Sequence, residues 1–171
     1  MKILSVSDVV IPSVYQPDFR KQFSGKDMLI GCGDLPYEYL DYLVSTLNIP
    51  LFFVRGNHDL STYRLNDFIQ PKPGGGEELH NRIIDYRGLI LGGVEGSIKY
   101  KPGPYMYTQN EMWWLIFNLI PKMMVNKLVK GRYIDIFVTH APPWGIYGLT
   151  DFAHQGIKAF QWFIRVFQPA C

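Results

Sequence analysis

Two cysteines among 171 residues, Cys32 and Cys171, are too few for a disulfide framework. That scarcity suits a reducing compartment, and a cytoplasmic location is expected. Charge is also sparing. Seventeen basic and 15 acidic side chains leave a net charge of +2, and with no long run of either sign the whole-chain balance gives no electrostatic case for nucleic acid or an acidic membrane. No apolar run reaches the ~20 residues of a membrane-spanning helix. The first eight residues lack the long apolar region and small-residue cleavage site of a secretory signal. What the chain has in quantity is apolar side chains, at 47%, enough for a core that folds unaided. Residues 1–171 are therefore expected to form a single domain.

The stretch around which the chain can be read is Leu51-Phe52-Phe53-Val54-Arg55-Gly56-Asn57-His58-Asp59, where four β-formers run into Gly-Asn-His-Asp. A buried strand here delivers polar groups to a sheet edge, the usual place for ligands in open α/β sheets. The plainer reading is a strand ending in a turn, with Asp59 capping a short helix over residues 60–65.

Other strands end the same way. Residues 2–6 form an internal strand that stops at Ser7-Asp8, and residues 27–30 form a second that delivers Gly31-Cys32-Gly33-Asp34. Residues 37–47 carry Leu40, Leu43, Val44 and Leu47 at helical spacing and are stopped by Asn48-Ile49-Pro50, giving a parallel β-α-β unit. A flexible connection is expected over residues 71–76. Residues 79–86 and 89–94 then read as a hairpin turning at Arg87-Gly88. Gly92 and Gly93 are read as close-packing positions rather than a phosphate cradle.

Thr108-Gln109-Asn110-Glu111 is a capping box, which starts a helix. Residues 112–120 are apolar on nearly every face, and Pro121 is expected to cut that helix short. Such a segment needs cover from the fold or from a second copy, or else serves as a lid or membrane-surface element. Residues 133–138 form another strand, ending at Thr139-His140. Residues 154–167 set Ile157, Phe160, Phe163, Ile164 and Phe167 on one helical face.

Asp8, Asp34, Asn57 and His140 thus each follow a β-rich run and can converge at one sheet edge. Two carboxylates, an amide oxygen and an imidazole suit Mn²⁺, Fe, Zn²⁺ or Mg²⁺, and His58 is left for proton transfer. Asp151 and His154, at the start of the last helix, are expected to line the substrate side or simply to cap and pack that helix.

With Asp8, Gly33-Asp34, Gly56-Asn57-His58-Asp59 and His140 in this order, the chain resembles the calcineurin-like metallophosphoesterase family. The resemblance implies an α/β/β/α four-layer sandwich and hydrolysis of a phosphate ester by metal-bound hydroxide. It implies two divalent ions bridged by Asp34, with Asp8 on the first, Asn57 and His140 on the second, and His58 protonating the leaving oxygen. Two departures stand out. Val10 occupies the histidine position of Asp-x-His, and no Gly-His-x-His follows the last helix. The Asp34/Asn57/His140 site is therefore expected to be the better occupied, and the C-terminal strands of the sandwich are expected to be missing. The expected partner is a small phosphorylated substrate. A homo-oligomer through residues 112–120 or an open sheet edge is also expected. A non-catalytic scaffold or an inactive fragment on the same fold is the competing reading.

Overall fold

The computed structural model describes residues 1–59, 72–146 and 155–171, together with the backbone of 63–65 and 68–70. Asp151 and His154, expected near the substrate, lie outside the described residues. In chain order the elements are β1 (Ile3–Val6), a 3₁₀ turn (Pro12–Tyr15), α1 (Phe19–Gln22), β2 (Met28–Gly31), α2 (Tyr37–Leu47) and β3 (Leu51–Phe53). Next come β4 (Tyr63–Leu65), β5 (Phe68–Gln70), β6 (Gly76–Glu78), β7 (Ile83–Tyr86) and β8 (Leu89–Val94). The remainder is β9 (Ser97–Ile98), β10 (Met106–Tyr107), α3 (Gln109–Lys130), β11 (Ile136–Thr139) and α4 (Lys158–Phe167).

Among the described residues, one sheet runs β1-β2-β3-β6, with every neighbour parallel, and a second runs β11-β8-β7. In the second sheet β11 is parallel to β8, while β7 and β8 form the expected hairpin. Arg87 and Gly88 both adopt positive φ at its turn, the two-residue geometry whose twist matches the strands. Short parallel β9 and β10 and the antiparallel pair β4 and β5 stand apart. Helix α2 has the predicted bounds and ends at Asn48 in the left-handed conformation.

Strand alternation sorts the core. Leu29 of β2 and Leu51 and Phe53 of β3 pack with Tyr39, Leu40 and Leu43 of α2. Met28, Ile30 and Phe52 point the other way and share a cluster with Leu91, Ile136 and Val138 of the second sheet. On that sheet's other side, Ile90 and Val94 pack with Met112, Ile116, Leu119 and Met123 of α3 and Phe160 and Phe163 of α4. This is the mixed α/β architecture expected from the sequence, with parallel strands and helices against both sheets.

Three expectations are corrected. Gly76, the last residue of the expected flexible connection, instead opens β6, which with the unassigned Glu77 and Glu78 pairs with β3 through its backbone although Gly-Glu-Glu has little β propensity. Strand β7 begins at Ile83, after a turn in which Asn81 takes a positive φ, so residues 79–82 leave the predicted hairpin. Helix α3 does not stop at Pro121 but continues to Lys130, ending at Gly131 with φ +75°. An interior proline costs about 3 kcal/mol. Burying a large apolar side chain returns roughly 1.5–3 kcal/mol, and Met123, fully buried two residues beyond the proline, offsets most of that cost. The capping box forms as predicted, with Thr108 Oγ1 accepting from the Glu111 amide and the Glu111 carboxylate accepting from the Thr108 amide.

Glycine spacing is explained by packing. A Cβ on Gly92 would come within 2.7 Å of Ile134, and one on Gly93 within 2.6 Å of the Val138 carbonyl.

Candidate metal centre

Asp8, Asp34, Asn57 and His140 follow β1, β2, β3 and β11, so the parallel sheets deliver all four to the same edge. One ligand atom each from Asp8, Asp34 and His140 lies within 4.8 Å of the others. His140 Nε2 stands 3.2 Å from Asn57 Oδ1 and 3.5 Å from Asp34 Oδ2. The convergence expected from the sequence is therefore present for these four residues.

The other imidazole nitrogen is committed. His140 Nδ1 lies 2.9 Å from the Cys32 carbonyl oxygen, which can only accept, so Nδ1 carries a proton and Nε2 is the nitrogen turned to the site. Nε2, the Asn57 amide oxygen and the Asp34 carboxylate face one another, held either by a proton on Nε2 or by a cation between the three. A carbonyl-anchored imidazole beside carboxylate and amide oxygens could hold a divalent ion. Asn57 Nδ2 donates to Tyr100 Oη at 3.3 Å, which directs Oδ1 inward.

The loops carrying these groups are compressed. Asp8 and Asp34 both adopt left-handed backbone, with φ of 61° and 58°, a conformation that aspartate tolerates better than most residues but that still carries strain. A Cβ on Gly56 would stand 2.0 Å from Asp34 Oδ1, and one on Gly33 would stand 2.8 Å from His140 Nδ1. Glycine at these positions lets the ligands approach.

Asp59 does not cap a helix over residues 60–65, since Tyr63–Leu65 is strand β4. Its buried carboxylate instead accepts from the amides of Gly56 at 2.8 Å and of Asp34 and Leu35 at 3.1 Å each. Burial pushes this carboxyl above the ordinary range, against the pull of those three amides. Asp59 thus ties the loop after β3 to the loop after β2. Asp34 Oδ1 completes the tie by accepting from the His58 amide at 2.8 Å.

His58 is exposed and lines a cleft of about 390 Å³ with Asp34, Leu35, Pro36, Tyr37, Glu38 and Asp59. Arg55, just before the glycine, bonds Tyr37 Oη at 3.2 Å and Glu78, and its carbonyl accepts from the Gly96 amide at 2.7 Å. Buried Glu95 accepts from Tyr107 Oη at 2.7 Å, and burial pushes its carboxyl upward. These contacts join the loop after β3 to the second sheet. Val10, where the resemblance has a histidine, is a partly exposed apolar side chain and offers no ligand atom.

Sequence reasoning missed the Cys32 carbonyl, Tyr100 and the clasp made by Asp59. A backbone acceptor has no residue signature, and Tyr100 is 43 positions from Asn57 in a loop with no periodicity. Asp59 was visible, but its backbone partners were not.

A family model for calcineurin-like phosphoesterases matches residues 1–161. The chain belongs to that family, a family of metal-dependent phosphoesterases acting on phosphorylated substrates. No curated protein matches the chain.

Proposed function

We propose that this chain is a divalent-metal-dependent phosphoesterase for a mono- or diester, with Asp8, Asp34, Asn57 and His140 as ligands and His58 as proton donor to the leaving oxygen. The observation that carries it is the meeting of His140 Nε2 with Asn57 Oδ1 and Asp34 Oδ2 at 3.2 and 3.5 Å. Divalent ions supply Lewis acidity at the phosphoryl oxygens and a more acidic water. The chain's own part is to hold the ligand atoms fixed through Cys32, Tyr100 and Asp59. His58, which lines the cleft, would give a proton to the departing oxygen. Asp34 is the residue shared by the two proposed ion sites. The Asp34/Asn57/His140 site has three donors against two for the Asp8/Asp34 site, and is the one proposed to fill first. Mn²⁺ is the ion to try, and the cytoplasm the proposed location.

A second reading, a non-catalytic scaffold, is favoured by Val10.

The test is hydrolysis of aryl phosphate mono- and diesters with Mn²⁺, in the parent and in Asn57→Ala and His140→Ala, with calorimetry of Mn²⁺ on each. Metal-dependent turnover lost in both variants supports the proposal. Metal binding without turnover selects the scaffold, and equal Mn²⁺ affinity in all three proteins removes the site.

A further inference from the structure

Helix α3 has two apolar sides. One packs on the second sheet through Met112, Ile116, Leu119 and Met123. The other faces outward, with Trp114 69%, Phe117 47%, Met124 44%, Val125 58%, Leu128 83% and Val129 75% exposed, and Pro121 exposed among them. Steps of three and four residues keep this stripe on one side for about 22 Å of helix. It reaches α4 through Phe117 against Trp162, with ring centres 6.2 Å apart. A soluble domain rarely exposes an apolar strip of this extent without a partner for it.

Charge selects the partner. Residues 112–134 contain no Asp or Glu and four cations, Lys122, Lys127, Lys130 and Arg132. Asp85 and Asp135 neutralise Lys130 and Arg132. Lys122 binds the Asn81 carbonyl, and Lys127 the Gly131 carbonyl and, at 5.1 Å, the face of the Tyr133 ring, none of which is an anion that would neutralise them. Helical spacing sets Lys122 beside Val125 and Lys127 beside Met124, one on each flank of the stripe. The long lysine stems can lie along apolar surface while the ammonium groups stay at the water boundary. A second copy would bring Lys122 and Lys127 of both chains together with no carboxylate from residues 112–134 to meet them, whereas anionic lipid offers acyl chains to the stripe and phosphates to its flanks. Among the described residues no helix is long and apolar enough to cross a membrane.

We propose that the outer face of α3 is a membrane-surface docking element that seats this domain on anionic lipid, with the helix lying in the interface. The balanced charge of the whole chain hid this, because the carboxylates lie elsewhere.

The experiment is co-sedimentation of the full chain with vesicles of phosphatidylcholine alone and of phosphatidylcholine with phosphatidylglycerol, alongside solution mass and tryptophan emission. The expected result is binding to the phosphatidylglycerol vesicles with a blue shift. Lys122→Gln and Lys127→Gln should each weaken binding about fivefold. Val125→Glu/Leu128→Glu should weaken it at least tenfold, with the melting temperature unchanged. Absence of binding, or equal binding to both vesicles, overturns the proposal. So does a dimer in solution that Val125→Glu/Leu128→Glu dissolves, which would make a second copy the occupant.

Discussion

His140 Nδ1 lies 2.9 Å from the carbonyl oxygen of Cys32, a residue 108 positions earlier in the chain. The bond crosses from the second sheet to the first and fixes which nitrogen of the ring looks into the site. It makes the site a property of the packing of two sheets, since neither the loop after β2 nor the end of β11 presents the donor set alone.

Tyr100 plays the corresponding part for Asn57. Removing such an outer hydrogen bond typically costs 10–100-fold in metal affinity. We expect Tyr100→Phe to weaken Mn²⁺ binding by roughly that factor while the melting temperature of the metal-free protein stays put, because Tyr100 is exposed. Calorimetry beside a thermal melt checks both. An unchanged Mn²⁺ affinity would mean that the Tyr100 hydroxyl does not position the amide.

Gly56→Ala tests how tight the site is. The added methyl would stand 2.0 Å from Asp34 Oδ1 and 2.7 Å from the Asp34 amide, and both are held by the hydrogen-bonded loops around them. The expected cost is roughly 1–3 kcal/mol of stability, as for other overpacked sites, with Mn²⁺ binding lost. Urea unfolding and calorimetry read the two effects separately, and full retention of both would show that the loops yield.

Much of this was legible before the structure. The bounds of α2, the Arg87-Gly88 turn and the Thr108 box are local signals, carried by residues a few positions apart. Asp8, Asp34, Asn57 and His140 were legible because each closes a β-rich run and parallel strands share an end. Strand β6 was hidden because its residues have no strand character, and only the edge of β3 makes them one. The continuation of α3 past Pro121 was hidden because it depends on Met123 meeting the second sheet. For Asp59 the sequence offered a helix cap, and the three amides that it holds come from backbone that only the fold brings near.

For His58 the expectation is a kinetic one. A proton donor matters most when the leaving oxygen is basic, so His58→Asn should slow an alkyl phosphoester far more than a nitrophenyl one. Mn²⁺ affinity should change little. A slowdown independent of leaving-group pKa would assign His58 to binding rather than proton transfer.

His80 sets a stability limit on the acid side. Its Nδ1 accepts from the Glu95 amide at 3.2 Å, a bond made with the proton absent from that nitrogen. Burial holds the pKa of His80 below its ordinary 6.5, against the opposing charge of Glu78. The unfolded chain therefore takes up the proton first on acidification. The stability from the neutral ring is complete above the ordinary histidine value and is lost as pH falls through it toward the depressed folded value. Melting temperature should drop between about pH 7 and 5, and the drop should be shallower in His80→Gln. Parallel curves for the two proteins would assign the acid sensitivity elsewhere.

The most direct measurement is anomalous diffraction from crystals of this chain grown with Mn²⁺. The expected result is a peak within coordination distance of Asp34 Oδ2, Asn57 Oδ1 and His140 Nε2, with any second, weaker peak on the Asp8 side of Asp34. A map with no peak among these three atoms at saturating Mn²⁺, or with His140 Nε2 bonded directly to Asp34 in place of an ion, would contradict the metal centre proposed here.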